Sequence, residues 1–225
     1  MTRNVFIAGG TGYMGCRLVP ELLRRGHRVR ALVRAGSENK APAGCEVVTG
    51  NPLDPDTFAN KISPSDTYVH LVGVAHPGPS KAKEFTTIDL RSIETAVPVA
   101  VMAKVSHFVY VSVAHPAPMM KAYIEVRTRG EDLIRESGLN ATILRPWYVL
   151  GPGHRWPYLL TPFYFVCERI PSTADGARRL GLVTLPQMIA ALTHAVENPA
   201  SGITVVEVPG IRDLRLNDAH AATAN

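Results

Sequence analysis

The chain has 225 residues, 46% hydrophobic and 19% charged, with a formal net charge of +5. That is the balance of a soluble globular protein large enough for a sizeable core. No run of five basic residues and no nucleic-acid motif accompanies the positive excess, so nucleic acid is not expected as a partner. No apolar run reaches the ~18 residues of a membrane span. The first strand pattern starts almost at Met1, so no signal peptide is expected, and the expected location is cytoplasmic. Cys16, Cys45 and Cys167 lack paired spacing, which argues against a disulfide framework or a metal site.

In chain order, Val5–Ala8 reads as a buried strand and Cys16–Arg25 as a helix with Leu18, Leu22 and Leu23 on one face, ended by Gly26. Strands are expected at Val29–Val33, Glu46–Thr49, Thr67–Val72, His107–Ser112 and Ala141–Leu144. Helices are expected at Pro55–Lys61, at Ile88–Lys104 with a kink or break at Pro98, and at Tyr123–Ser137, closed by Gly138. A further helix at Pro186–Val196 and a strand at Thr204–Val208 follow. This alternation implies an α/β fold of the Rossmann type, a doubly wound parallel sheet, in one domain over residues 1–215. After Arg145, prolines at 146, 152, 157, 162 and 171 break up an aromatic stretch containing Trp147, Tyr148, Trp156, Tyr158, Phe163, Tyr164 and Phe165. Residues 146–180 therefore read as a small irregular cap over the C-terminal edge of the sheet, where such folds bind ligands. Residues 216–225 read as a flexible tail.

The segment Gly9-Gly10-Thr11-Gly12-Tyr13-Met14-Gly15 follows a strand and opens a helix. It satisfies both Gly10-x-Gly12-x-x-Gly15 and Gly9-x-x-Gly12-x-x-Gly15. Glycines there permit a tight turn and close approach of backbone to a pyrophosphate, whose charge suits a helix N-terminus. A dinucleotide is thus the expected cofactor. Arg34, at the end of the second strand, stands where NAD-preferring folds carry an acid for the ribose 2′-hydroxyl. A cation suits a 2′-phosphate, so NADP(H) is preferred, with NAD(H) possible. Asn51 suits either an adenine edge or a turn. In Leu71-Val72-Gly73-Val74, Gly73 admits either a cofactor ribose or a plain strand end.

Tyr123 and Arg127 are four residues apart and share a helix face. A cation beside a phenol stabilises the phenolate, and a tyrosine so tuned can exchange a proton with a carbonyl or hydroxyl compound. Glu131, four residues on, is placed to hold Arg127. The other reading of this face is a surface tyrosine with salt bridges. His70 lies within a strand and reads as core. His76, His115 and His154 fall in loops and match no metal-ligand pattern. Cys16, at a helix start, reads as small packing or as a low-pKa thiol.

Taken in order, these segments resemble the short-chain dehydrogenase/reductase superfamily, in its atypical branch near the NAD(P)H-binding, NmrA-like and epimerase/dehydratase-like proteins. The resemblance spans residues 3 to 210. It rests on Gly9–Gly15 with Arg34, on Gly50-Asn51-Pro52-Leu53-Asp54, on His107-Phe108-Val109-Tyr110-Val111-Ser112, and on Ile143-Leu144-Arg145-Pro146-Trp147-Tyr148-Val149-Leu150-Gly151-Pro152-Gly153. It implies an NAD(P)(H)-binding Rossmann domain with Tyr123 as catalytic tyrosine and Ser112 as a contact residue. Pro146, Trp147 and Val149 would lie against the nicotinamide. Two positions depart from the pattern. The lysine four residues after the tyrosine is Arg127, which supplies charge but does not easily relay a proton. The usual serine is Val113. The resemblance implies an oxidoreductase or epimerase/dehydratase acting on a small-molecule substrate. The departures leave open a non-catalytic redox sensor or assembly subunit. Oligomeric state is not legible.

Overall fold

The computed structural model describes residues 1–117, 119–152 and 179–216. Most of the expected cap, with His154, Trp156 and Cys167, lies outside the described residues, as does the tail from residue 217.

Strands β1 (Asn4–Ala8), β2 (Arg28–Val33), β3 (Glu46–Thr49), β4 (Thr67–His70), β5 (His107–Val111) and β6 (Ala141–Arg145) are followed by β7 (Tyr148–Leu150), β8 (Leu182–Thr184) and β9 (Ile203–Glu207). Seven form one parallel sheet in the order β3-β2-β1-β4-β5-β6-β9, and β7 pairs with β8 beside it. Strand order reverses beside β1, so a crevice opens at the carboxyl ends of β1 and β4. The helices are α1 (Gly15–Arg24), the short α2 (Ala82–Glu84), α3 (Arg91–Met102), α4 (Lys121–Glu136), α5 (Leu185–Glu197) and α6 (Val208–Asp213).

The two-residue period of the strands divides the core. Val5, Ile7, Val69 and Val109 pack with Leu18 and Leu22 of α1 and with Met188 and Leu192 of α5. Phe6, Ala8, Tyr68 and Phe108 face the other way, onto Phe58, Ile93 and Ala96 of α3 and Ile134 of α4. On this second face an aromatic stack runs across the strands, with Tyr68 and Phe108 rings 5.0 Å apart. His70 lies within it, fully buried and 3.2 Å from the Ser92 hydroxyl. Burial pulls its pKa down to about 3, so it is a neutral core histidine.

Several elements differ from expectation. Residues 55–61 form two 3-10 turns, Pro55–Thr57 and Ala59–Lys61, instead of one helix. Asp54 caps the first turn through the Asp56 N–H, and the Thr57 hydroxyl bonds back to the Asp54 carbonyl at 2.7 Å, satisfying the backbone locally. The long helix expected from Ile88 is a π-helical turn, Phe85–Leu90, running into α3. Pro98 does not end α3; it sits on the exposed side, where water can satisfy the carbonyl it leaves unpaired. β4 stops at His70, although Leu71 N–H still bonds the Ala8 carbonyl. The capping box of α5, Thr184 with Gln187, was not foreseen, nor were β7, β8 and α6.

Candidate active site and cofactor cradle

The glycine turn is built as a phosphate cradle requires. Gly9 has φ +90°, and a Cβ there would come within 2.8 Å of the Leu71 backbone. A Cβ on Gly15 would come 2.6 Å from the Gly10 Cα, and closer still to the Gly9 carbonyl oxygen. Gly12 N–H closes the turn on the Gly9 carbonyl at 3.0 Å. α1 then starts with no side-chain cap and no acidic residue in its first turn, so its N-terminus is free to meet an anion. These features fit a dinucleotide pyrophosphate. Thr11, Tyr13 and Met14 are half-buried around the turn. Arg17 lies 5.2 Å from the Tyr13 ring centroid, and the Tyr13 hydroxyl abuts Gly151. Cys16 lies beside the Tyr13 carbonyl and Arg17.

Arg34 is the first residue after β2 and is exposed, and no described side chain pairs with it. Asn51 adopts the turn role: its side-chain oxygen accepts from Leu53 N–H at 3.1 Å. Leu71 and Val72 leave β4 alongside the glycine turn, and Gly73 is exposed at the sheet edge.

Tyr123 lies at the start of α4, which Met120 opens in a left-handed conformation. Its ring tilts against Phe85 at 4.9 Å. Arg127 is buried and clasped between rings, 5.2 Å from the Tyr123 centroid and 5.8 Å from that of Tyr110. Its guanidinium donates to the Val111 carbonyl at 2.9 Å and to Asp89 Oδ1 at 2.5 Å. Asp89, on the π-helical turn, accepts the Val74 N–H at 2.9 Å through its other oxygen. The backbone of Gly73 lies directly against this ion pair; a Cβ there would overlap Arg127 Nη2. Three elements therefore meet on one buried charge pair.

Two expectations are corrected here. Arg127 was expected to lower the Tyr123 pKa. It does pull in that direction, but burial outweighs it and Asp89 adds to the rise, so the hydroxyl titrates above the ordinary tyrosine range. Glu131 was expected to hold Arg127. It turns instead to β5 and β6, accepting from the Ser112 hydroxyl at 2.6 Å, from Arg145 at 2.5 and 2.8 Å, and from Arg135 at 2.8 Å. Burial pushes the Glu131 carboxyl up, but the bonds from Arg145, Ser112 and Arg135 outweigh it and hold the carboxyl below its ordinary range. Ser112 thus spends its proton on the protein. Arg145 continues the network to Glu207 at 2.8 Å. Pro146 is buried and its carbonyl accepts Ala114 N–H at 2.9 Å, while Trp147 and Val149 are half-buried at the exit of β6.

Asp89 was missed. The signal for it was a carboxylate flanked by Ile88 and Leu90 and four residues after Phe85, since a carboxylate on an apolar face requires a cation.

The NAD(P)H-binding family model matches residues 9–155, more than half of the chain. The chain belongs to the NAD(P)H-binding family. Over 92% of its length it is 28% identical to a ceramide reductase of Caulobacter vibrioides, of which it covers 65%. Over 91% it is 29% identical to the chloroplastic protein TIC 62 of Arabidopsis thaliana, covering 35%. It thus spans less than two thirds of the length of these relatives. Among solved structures, it superposes on the Bordetella bronchiseptica enzyme WbmH in complex with NAD+ with a TM-score of 0.68 at 20% identity, covering 92% of this chain and 75% of the other. The Thermus thermophilus UDP-glucose 4-epimerase complex with NAD gives 0.66 at 16% identity, covering 93% and 81%. The Rossmann-like fold of short-chain dehydrogenases and epimerases is therefore shared. Among the described residues no helix is long and apolar enough to cross a membrane.

Proposed function

We propose that this NAD(P)H-binding protein is an NADP(H)-preferring oxidoreductase or epimerase/dehydratase that acts on a small carbonyl or hydroxyl compound. The observation that carries the reading is that Arg127, packed against the Tyr123 ring, bonds the exits of β4 and β5, on the carboxyl edge where the glycine cradle of β1 also lies. Bound NADPH supplies the hydride. In carbonyl reduction Tyr123 gives its hydroxyl proton to the substrate oxygen as the carbonyl carbon gains that hydride, and solvent reprotonates the phenolate. A hydroxyl held above the ordinary tyrosine range stays protonated at neutral pH, which suits a proton donor. Arg127 stabilises the transient phenolate across the short gap between their side chains. The exposed Arg34 is the group for a 2′-phosphate.

Single-turnover hydride transfer across a carbonyl panel tests the role of Tyr123. Tyr123→Phe should slow it by about 100-fold or more; equal rates would remove Tyr123 from the chemistry. Arg34→Asp should shift preference towards NAD(H), and calorimetry showing wild type binding NAD(H) as tightly as NADP(H) would refute the role of Arg34. One observation favours a second reading, a non-catalytic dinucleotide-binding sensor or assembly subunit: Arg127, which does not easily give up a proton, stands where the resembled superfamily carries a lysine. Tight NADP(H) binding without turnover on the panel would favour that reading.

A further inference from the structure

We propose that Asp89 is the positioning residue of this site: its carboxylate clamps Arg127 and the Val74 backbone, so that one buried ion pair sets both the β4-exit loop and the charge that Tyr123 faces. The inference rests on the reading of Tyr123 as proton donor.

The geometry is specific. One Asp89 oxygen takes the Arg127 guanidinium and the other takes Val74 N–H, so neither function can be lost without disturbing the other. The Asp89 side chain is 1% exposed and that of Arg127 7%, so water does not screen the pair. Arg127 reaches the β5 exit through the Val111 carbonyl and the β4 exit a second time, at 3.5 Å, through the Val72 carbonyl. The Gly73 backbone passes against the pair with no room for a side chain. The Asp89 carboxylate therefore fixes residues 72–74 at the cofactor crevice.

The same pair decides what Tyr123 sees. The groups facing Tyr123 are Arg127 on its own helix, Asp89 and the apolar Phe85 on the π-helical turn, and Tyr110 on β5, whose hydroxyl burial pushes up to about 12. Arg127 favours the phenolate and Asp89 opposes it, with Arg127 the stronger of the two. An arginine at this place stays charged at every relevant pH. Left alone beside Tyr123 it would draw the phenol towards ionisation; burial is the larger influence against this, and Asp89 offsets part of the pull that remains.

The test needs no substrate. In protein labelled at the tyrosine Cζ with 13C, the Tyr123 resonance is identified by its loss in Tyr123→Phe and followed with pH. Asp89→Asn should move the Tyr123 midpoint to lower pH. It should also weaken NADPH binding, measured by fluorescence titration, by roughly tenfold through the freed Val74 N–H. The double variant Asp89→Asn/Arg127→Gln removes both charges and should move the midpoint above that of wild type, because the stronger influence is lost. It also avoids an unpaired buried cation, so it serves where the single variant does not fold. A midpoint unmoved in Asp89→Asn, or a double variant titrating at or below wild type, overturns the inference. A purely structural role for Asp89 would lower thermal stability without this opposite pair of shifts. If the shifts occur but Tyr123→Phe leaves hydride transfer unchanged, the clamp stands and the catalytic reading fails.

Discussion

Replacing Gly15 by alanine puts a methyl carbon into backbone that has nowhere to go. The new Cβ would stand 2.6 Å from the Gly10 Cα and 2.7 Å from its carbonyl carbon, where ordinary contact starts at 3.4 Å. The turn must therefore yield by at least about 0.8 Å, the difference of those distances, and by more at the Gly9 carbonyl oxygen. It has no slack to do so: Gly10 already lies against Ala31, and Gly9 against the Leu71 backbone. Such overpacking costs about 1–3 kcal/mol in stability. The larger loss is functional, since the displaced N–H groups are those aimed at a pyrophosphate. Hydrogen bonds to a charged group contribute about 1.5–3 kcal/mol each, so losing one weakens NADPH binding by roughly 10- to 150-fold. Gly26→Ala is the control. Gly26 has φ +82° with nothing within 4 Å of an added Cβ, so it should cost about 1 kcal/mol of stability and leave binding unchanged. NADPH fluorescence titration with parallel thermal melts reads both. Gly15→Ala binding within threefold of wild type would refute the cradle, as would equal damage from Gly26→Ala.

Two further outcomes follow from the buried charges. Glu131→Gln should cost about 3 kcal/mol near neutral pH, because it leaves Arg145 and Arg135 facing a neutral amide in place of a buried carboxylate. The Glu131 pKa is depressed in the fold, so its stabilisation is complete above the ordinary value near ~4.3 and is lost as pH falls through the folded value. Urea titrations should therefore show the gap between variant and wild type closing in acid; a gap independent of pH would contradict this. His70, with a folded pKa of about 3 against 6.5 unfolded, binds fewer protons folded than unfolded, so stability falls as pH drops from about 6.5 towards 3. At pH ~4.5 the loss is about 3 kcal/mol. His70→Phe, which keeps the ring stack with Tyr68 and Phe108, should flatten the decline of the urea midpoint over that range.

How much was legible varied with the range of the interaction. The seven strands of the parallel sheet were read to within a residue or two, because a short apolar run marks a strand; Val5–Ala8 and Val29–Val33 were expected where Asn4–Ala8 and Arg28–Val33 form. The helix expected at residues 55–61 failed because Asp54 and Thr57 bond their own backbone, an option that apolar periodicity does not register. The Tyr123–Arg127 face was legible as a spacing of four. That Arg127 turns to Asp89 was not, because the two are 38 residues apart and meet only when α4 packs on the π-helical turn. The same holds for Glu131, which local spacing assigns to Arg127 but the sheet assigns to Arg145 of β6.

By itself, then, the sequence determined the dinucleotide cradle and the parallel sheet that presents it. Both follow from local rules: glycine where backbone must turn or approach closely, and a short continuous apolar run where a strand is covered on both faces. Only the tertiary structure decided how the candidate tyrosine is electrostatically set. Proton affinity depends on burial and on the sum of nearby charges, and the Asp89 charge arrives at Tyr123 through packing that no local spacing encodes.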